Sequence, residues 1–81
     1  MTNQPLRSRQ LRCLFFVHKE GPVKPRQIAE SVLGNNNFDN QRTAWHVLKT
    51  LKRRGLVEVI KRGSYSITGM GVITLKERNY L

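Results

Sequence analysis

Two hydrophobic rhythms run along this chain, one of helical period and one of strict alternation, and they change over at Gly55. From about Leu6 to His18 the spacing predicts a first helix. Gln10, Cys13, Leu14 and Val17 share one face, with Phe16 beside it, while Leu11 and Phe15 fall on the opposite side. A helix apolar on two sides must bury both or offer one to a partner. "KEGPV" then stops it, because Gly and Pro interrupt regular backbone. "KPRQIAESVLG" predicts a short second helix with Pro25 at its first position, a stripe of Ile28, Ala29, Val32 and Leu33, and a stop at Gly34. Asn35 to Asn37 supply turn chemistry, and Phe38 is expected to tuck inward as the anchor of that turn.

A third helix is expected over about 39–54, capped by Asp39 and ended by Gly55. Ala44, Val47, Leu48 and Leu51 share its apolar face. Arg42, His46, Lys49 and Arg53 stand opposite, with Thr43, Trp45 and Thr50 on the flanks. The rhythm then becomes strand-like over Leu56 to Lys61 and again over Ser64 to Ile67. Arg62-Gly63 between them reads as a tight hairpin turn. Thr68 is placed to cap a last helix whose apolar content is Val72, Ile73 and Leu75.

Length and charge narrow the class. The chain has 81 residues, enough for one domain, taken as residues 6–81 behind a loose polar arm at residues 1–5. A domain this small is marginally stable alone, so self-association is plausible. Its one cysteine, Cys13, excludes an intrachain disulfide and reads as a small core side chain. Fifteen Lys and Arg face five Asp and Glu, a formal charge of +10. Such a surplus repels itself unless a polyanion neutralises it, and nucleic acid is the commonest one. A membrane fits poorly, because "CLFFV" is far too short to span one and is not followed by a cleavage site. A cytoplasmic or nucleoid-associated protein is the expectation.

The segments "RQIAESVLG", "TAWHVLKTLKRRGLVEV" and "YSITGMG", taken in order, resemble the winged helix-turn-helix family, in particular small regulators of prokaryotic, plasmid or viral type. In that family a recognition helix ends in Leu-x-x-x-Gly-Leu-Val, matched here by Leu51, Gly55, Leu56 and Val57. A Tyr-x-x-Thr-x-x-Gly step closes the following hairpin, the wing, matched by Tyr65, Thr68 and Gly71. The resemblance covers nearly the whole chain from Leu6. It implies an α+β fold: a three-helix core, a two-stranded wing and a C-terminal helix. The linker "GNNNFDN" is longer than the family's usual tight turn.

On that reading the chain binds double-stranded DNA, with helix three in the major groove and the wing on backbone or minor groove. From Arg42 to Arg62 there are seven basic residues and one acid, Glu58, so helix and wing together form a cationic clamp whose binding releases counterions. Gln41, Arg42, Thr43 and His46 are the candidate base readers. Gln41 suits adenine and Arg42 suits guanine. Lys24, Arg26, Gln27, Lys49 and Arg53 are candidate phosphate partners. Lys61, Arg62, Gly63 and Ser64 form the wing tip. Trp45 is expected to pack half-buried against the second helix or the wing. Arg7, Arg9 and Arg12 are assigned only to solubility.

The second apolar side of helix one, Leu11 and Phe15, is the candidate homodimer interface. The C-terminal "NYL" covering it within the chain is the alternative. A small transcriptional regulator is the leading role. A replication, partition or recombination accessory protein uses the same contacts. A protein-docking winged helix, seated on a polymerase or another complex through helix one, is the rival of another class. RNA binding is disfavoured by a lack of surface aromatics for stacking. Catalysis has no support: His18 and His46 lie on different helices, the acids are scattered, and no metal-ligand or phosphate-loop spacing occurs. No cofactor, metal or small-molecule ligand is expected.

Overall fold

The computed structural model describes residues 6–81, so the arm expected at residues 1–5 lies outside the described residues. The order is α1 (Ser8–Glu20), α2 (Pro25–Ser31), α3 (Phe38–Arg53), β1 (Val57–Lys61), β2 (Ser64–Ile67) and α4 (Gly69–Glu77). The fold is therefore α+β, four helices with a two-stranded antiparallel hairpin after the third. Element types follow the periodicity. The departures from expectation lie at ends and faces.

Helix α1 opens at Ser8, not Leu6, because Gln10 is a cap and not a core residue: its Oε1 accepts the backbone N–H of Arg7 at 2.8 Å. Leu6, ahead of the helix, is buried. The supposed spare face of α1 is not spare. Leu11 is buried in the core, and Phe15 is half-buried with its ring centroid 5.8 Å from that of Tyr80. Leu11 is therefore taken up by the core, and Phe15 is partly covered by Tyr80 of the C-terminal stretch.

Tyr80 reaches Phe15 through a reversal at the end of α4. Asn79 adopts φ 63°, its N–H bonds to the Lys76 carbonyl (3.1 Å), and the Tyr80 N–H returns to Leu75 (2.9 Å). This pair of bonds is the Schellman pattern, which satisfies the last carbonyls of a helix and turns the chain back. The same pattern ends α3. Gly55 (φ 79°) bonds to Lys52, and Leu56 bonds to Leu51, both at 2.9 Å. Leu51 and Leu56 are both buried, so the apolar contact that accompanies such a turn has its two partners.

Helix α2 ends at Ser31, three residues before Gly34, although Val32 and Leu33 still donate to the Ile28 carbonyl. Arg12 donates from Nη2 to the Val32 carbonyl at 3.2 Å. It therefore ties α1 to the end of α2, a job beyond the solubility role expected of it. Helix α3 is capped by Asn37, whose Oδ1 accepts the Asn40 N–H at 2.8 Å, and not by Asp39, which sits in the first turn. Moving the cap back makes Phe38 the first helical residue. Phe38 points out, 77 % exposed, against the expectation that it anchors the turn.

The hairpin pairs Val57 with Ile67, Glu58 with Ser66, Val59 with Tyr65 and Lys61 with Ser64, leaving a bulge at Ile60. Gly63 supplies the positive φ at the tip. A further strand contact was invisible to periodicity. Val23, between α1 and α2, exchanges both backbone hydrogen bonds with Tyr65, at 2.9 and 2.8 Å. The "KEGPV" stop is thus a helix terminator and also a one-residue addition to the hairpin's edge. Leu14, Val17, Ile28, Leu48, Leu51, Val57 and Leu75 form the fully buried centre, drawn from every helix and β1. No helix among the described residues is long and apolar enough to cross a membrane.

Candidate nucleic-acid interface

Helix α3 is 16 residues, about 24 Å at 1.5 Å per residue. Its buried row is Ala44, Val47, Leu48 and Leu51, as expected. On the opposite side Phe38, Arg42, His46, Lys49 and Arg53 are all exposed, with Asp39 the one acid of the helix. Lys52 and Arg53 in the last turn suit the negative end of the helix dipole. Asp39 suits the positive end.

The start of α3 is held by its own amides. Asn40 Nδ2 donates to the Leu33 carbonyl (3.3 Å) and to the carbonyl and Oδ1 of Asn35 (both 3.1 Å). Asn35 Oδ1 also accepts the Asn37 N–H, and Asn36 Nδ2 donates to Glu30 Oε2 at 3.3 Å. The long "GNNNFDN" linker is therefore a cross-braced loop. Gln41 joins it by donating from Nε2 to the Asn36 carbonyl. Its carboxamide is tied to the loop and half-buried, which departs from the free bidentate reader assigned to it.

The other candidates divide by place. Arg42 and His46 are exposed on the outer face of α3, whereas Thr43 is half-buried on its flank. Lys49 and Arg53 are exposed on the same outer face. Lys49 is also held there, with its Nζ 4.5 Å from the centroid of the Trp45 ring. Such a contact fixes a long, mobile ammonium at about 0.5–1 kcal/mol on an exposed site. His46 lies edge-on to Trp45, with ring centroids 5.2 Å apart. Lys24 and Arg26 are exposed at the start of α2. Gln27 is exposed too, but its Oε1 accepts the Lys24 N–H at 2.8 Å, so it caps α2. Lys61, Arg62 and Gly63 are exposed at the hairpin tip, and Ser64 is half-buried. They belong to a separate element, tied to the body at its base through Leu56, Val57 and Tyr65.

One cluster joins α2 to α3. Pro25, Phe38, Gln41, Arg42 and Trp45 line an open groove of about 380 Å³. Trp45 is 42 % exposed there, so instead of packing half-buried it faces outward, sharing the groove with Pro25 of α2. Phe38 is the functional candidate that the sequence reading missed. The available signal was the Asn37 cap: counting the helix from Phe38 puts it in line with Arg42, Trp45 and Lys49 at spacings of four and three. With Phe38 and Trp45 both outward, the argument against RNA from absent surface aromatics loses its basis.

Cys13 stands apart from this face. It is fully buried, and burial pushes its thiol up to about 11 against the weaker opposing pull of Arg12 and Arg9. It is an inert core thiol. Among the described residues no group of three or more His, Cys, Asp or Glu is placed to hold a metal ion. Comparison with models of known protein families, with curated proteins and with solved structures finds no match.

Proposed function

We propose that this protein binds double-stranded DNA sequence-specifically as a winged helix, most simply as a small transcriptional regulator. The observation that carries the reading is the outer face of α3, where Arg42, His46, Lys49 and Arg53 are exposed together on a regular helix. A helix of that kind enters the major groove and brings cations between two rows of phosphate. The hairpin follows directly, with Lys61 and Arg62 at its tip. The longest dimension of the molecule, 32 Å, is close to the roughly 34 Å of one duplex turn. One copy therefore covers about one turn.

Arg42 is assigned to base edges. Lys49, Arg53, Lys24 and Arg26 are assigned to phosphates, with Lys61 and Arg62 on backbone or minor groove. The protein-docking rival is less favoured, because Leu11 is buried and Phe15 is half-buried against Tyr80, which leaves less apolar surface on helix α1. A homodimer would have to use another face. Titration of duplex DNA across a range of salt concentrations tests the reading. For about five phosphate contacts, log K falls against log salt with a slope of about −4 to −5. A flat response overturns it.

A further inference from the structure

The outward face of α3 is not simply cationic. Phe38 is the most exposed large apolar side chain on it at 77 %, and Trp45 follows at 42 %. Together with Pro25 they give the groove apolar walls, while Gln41 and Arg42 line its polar side. Exposing this much aromatic surface beside cations has no packing rationale within the chain. Phe38 contributes nothing to the core, and a polar residue after the Asn37 cap would serve the helix equally well.

A partner for this groove must satisfy two conditions. It must be polyanionic, because Arg42 lines the groove, the Lys49 ammonium lies over its Trp45 wall, and the exposed Lys24 and Arg26 flank Pro25 in sequence, in a chain of net charge +10. It must also present a small apolar group among those charges. A DNA duplex meets the first condition through its phosphates, and the apolar group its major groove presents is the C5-methyl of thymine, which meets the second. Base stacking on Trp45 is a poorer fit, because the Lys49 ammonium lies over its ring and His46 meets it edge-on.

We infer that Pro25, Phe38 and Trp45 form a thymine-methyl site, through which α3 selects T-containing sequences and DNA over RNA. The inference rests on the duplex-binding reading above. The groove is far wider than one methyl group, so it accepts the methyls of neighbouring thymines along one strand. Arg42, on the polar side of the same groove, then reads the adjoining base pair.

The test compares one short A·T-rich duplex made with thymidine and the same duplex made with deoxyuridine, which removes only the methyls and leaves every phosphate. The wild-type chain should bind the thymidine duplex tighter by about fourfold for each methyl buried. Emission from Trp45, the only tryptophan, should change more on that duplex. The preference should vanish in Phe38→Ala and persist in Phe38→Leu, which keeps an apolar body. Thermal melting of both variants controls for folding. Equal affinity of the wild type for the two duplexes overturns the inference while leaving duplex binding intact. So does a preference that survives in folded Phe38→Ala, since the methyls would then be read elsewhere. Failure to bind either duplex at low salt overturns the duplex-binding reading itself.

Discussion

Gly71 of α4 lies against the backbone carbonyl of Leu56, so close that a Cβ at Gly71 would overlap that oxygen and also meet Cγ1 of Ile67 at 2.6 Å. Thr68 completes the junction. Its N–H bonds to the Leu56 carbonyl (3.0 Å), its Oγ1 donates to Gly55 (2.6 Å), and the same oxygen accepts the Gly71 N–H (3.1 Å). The end of α3, the base of the hairpin and the start of α4 are therefore locked at one point. Thr68 and Gly71 of the Tyr-x-x-Thr-x-x-Gly step are parts of this junction, whereas Tyr65 pairs with Val23 and Val59.

Gly71→Ala should destabilise the fold by about 1–3 kcal/mol, because the obstacles are backbone and a packed Ile67, neither of which can swing away. Gly69→Ala is the control, since a Cβ there meets nothing within 4 Å. Thr68→Ala should cost about 1–2 kcal/mol through loss of the cap. Urea denaturation followed by circular dichroism measures all three. Equal stability of Gly71→Ala and Gly69→Ala would show that the junction is looser than its geometry.

The Phe15–Tyr80 contact should be a stability determinant and not a subunit contact. Phe15→Ala and Tyr80→Ala should each lower the melting temperature, and their double-mutant cycle should return a coupling of about 0.5–1.5 kcal/mol. Phe15→Glu should lower stability without changing the sedimentation coefficient of the folded fraction. A Phe15→Glu protein of unchanged stability but halved mass would restore the interface on helix one.

Cys13 links stability to alkaline pH. Its thiol titrates at about 11 in the native state against 9.0 for an ordinary thiol. Between those values the unfolded chain releases the proton while the native state keeps it. The unfolded state then binds fewer protons, so stability falls as pH rises. Stability is whole below about pH 9 and falls as pH rises through about 11, where the loss approaches its limit of about 2–3 kcal/mol. Subtracting the pH profile of Cys13→Ala from that of the wild type isolates it. A thiol reagent at pH 8 should label Cys13 only as fast as the protein opens. Immediate labelling of the native protein would contradict its burial.

Arg42 and Arg62 should behave differently on DNA, following the duplex-binding proposal. Arg62→Ala at the hairpin tip should weaken a selected site and a random duplex by similar factors, as a backbone contact does. Arg42→Ala should weaken the selected site by an additional 1–3 kcal/mol or so, as loss of a bidentate base contact does. Competition assays at one fixed salt concentration separate these outcomes. Identical profiles for the two variants would remove Arg42 from the base-reading role.

The features legible from the chain alone are local in origin. Period 3.6 over Ala44, Val47, Leu48 and Leu51, alternation over Leu56–Lys61 and glycine at 55 and 63 each express a preference of a few consecutive residues. The helix, the strand and both glycine turns are present, but β1 buries only Val57, with Val59 and Ile60 exposed instead of alternating. The surplus of cations was equally legible, since a net charge of +10 needs no coordinates. Tertiary structure alone decided three matters that join distant segments. Val23 completes the sheet edge only because α1 and α2 bring it beside Tyr65, 42 positions later. Phe15 becomes half-buried against Tyr80 because Asn79 turns the chain back onto α1. Phe38 faces outward because the Asn35–Asn40 network sets the helix start one residue ahead of Asp39. Since successive helical residues differ by about 100° in direction, where the first turn is anchored decides what the groove contains.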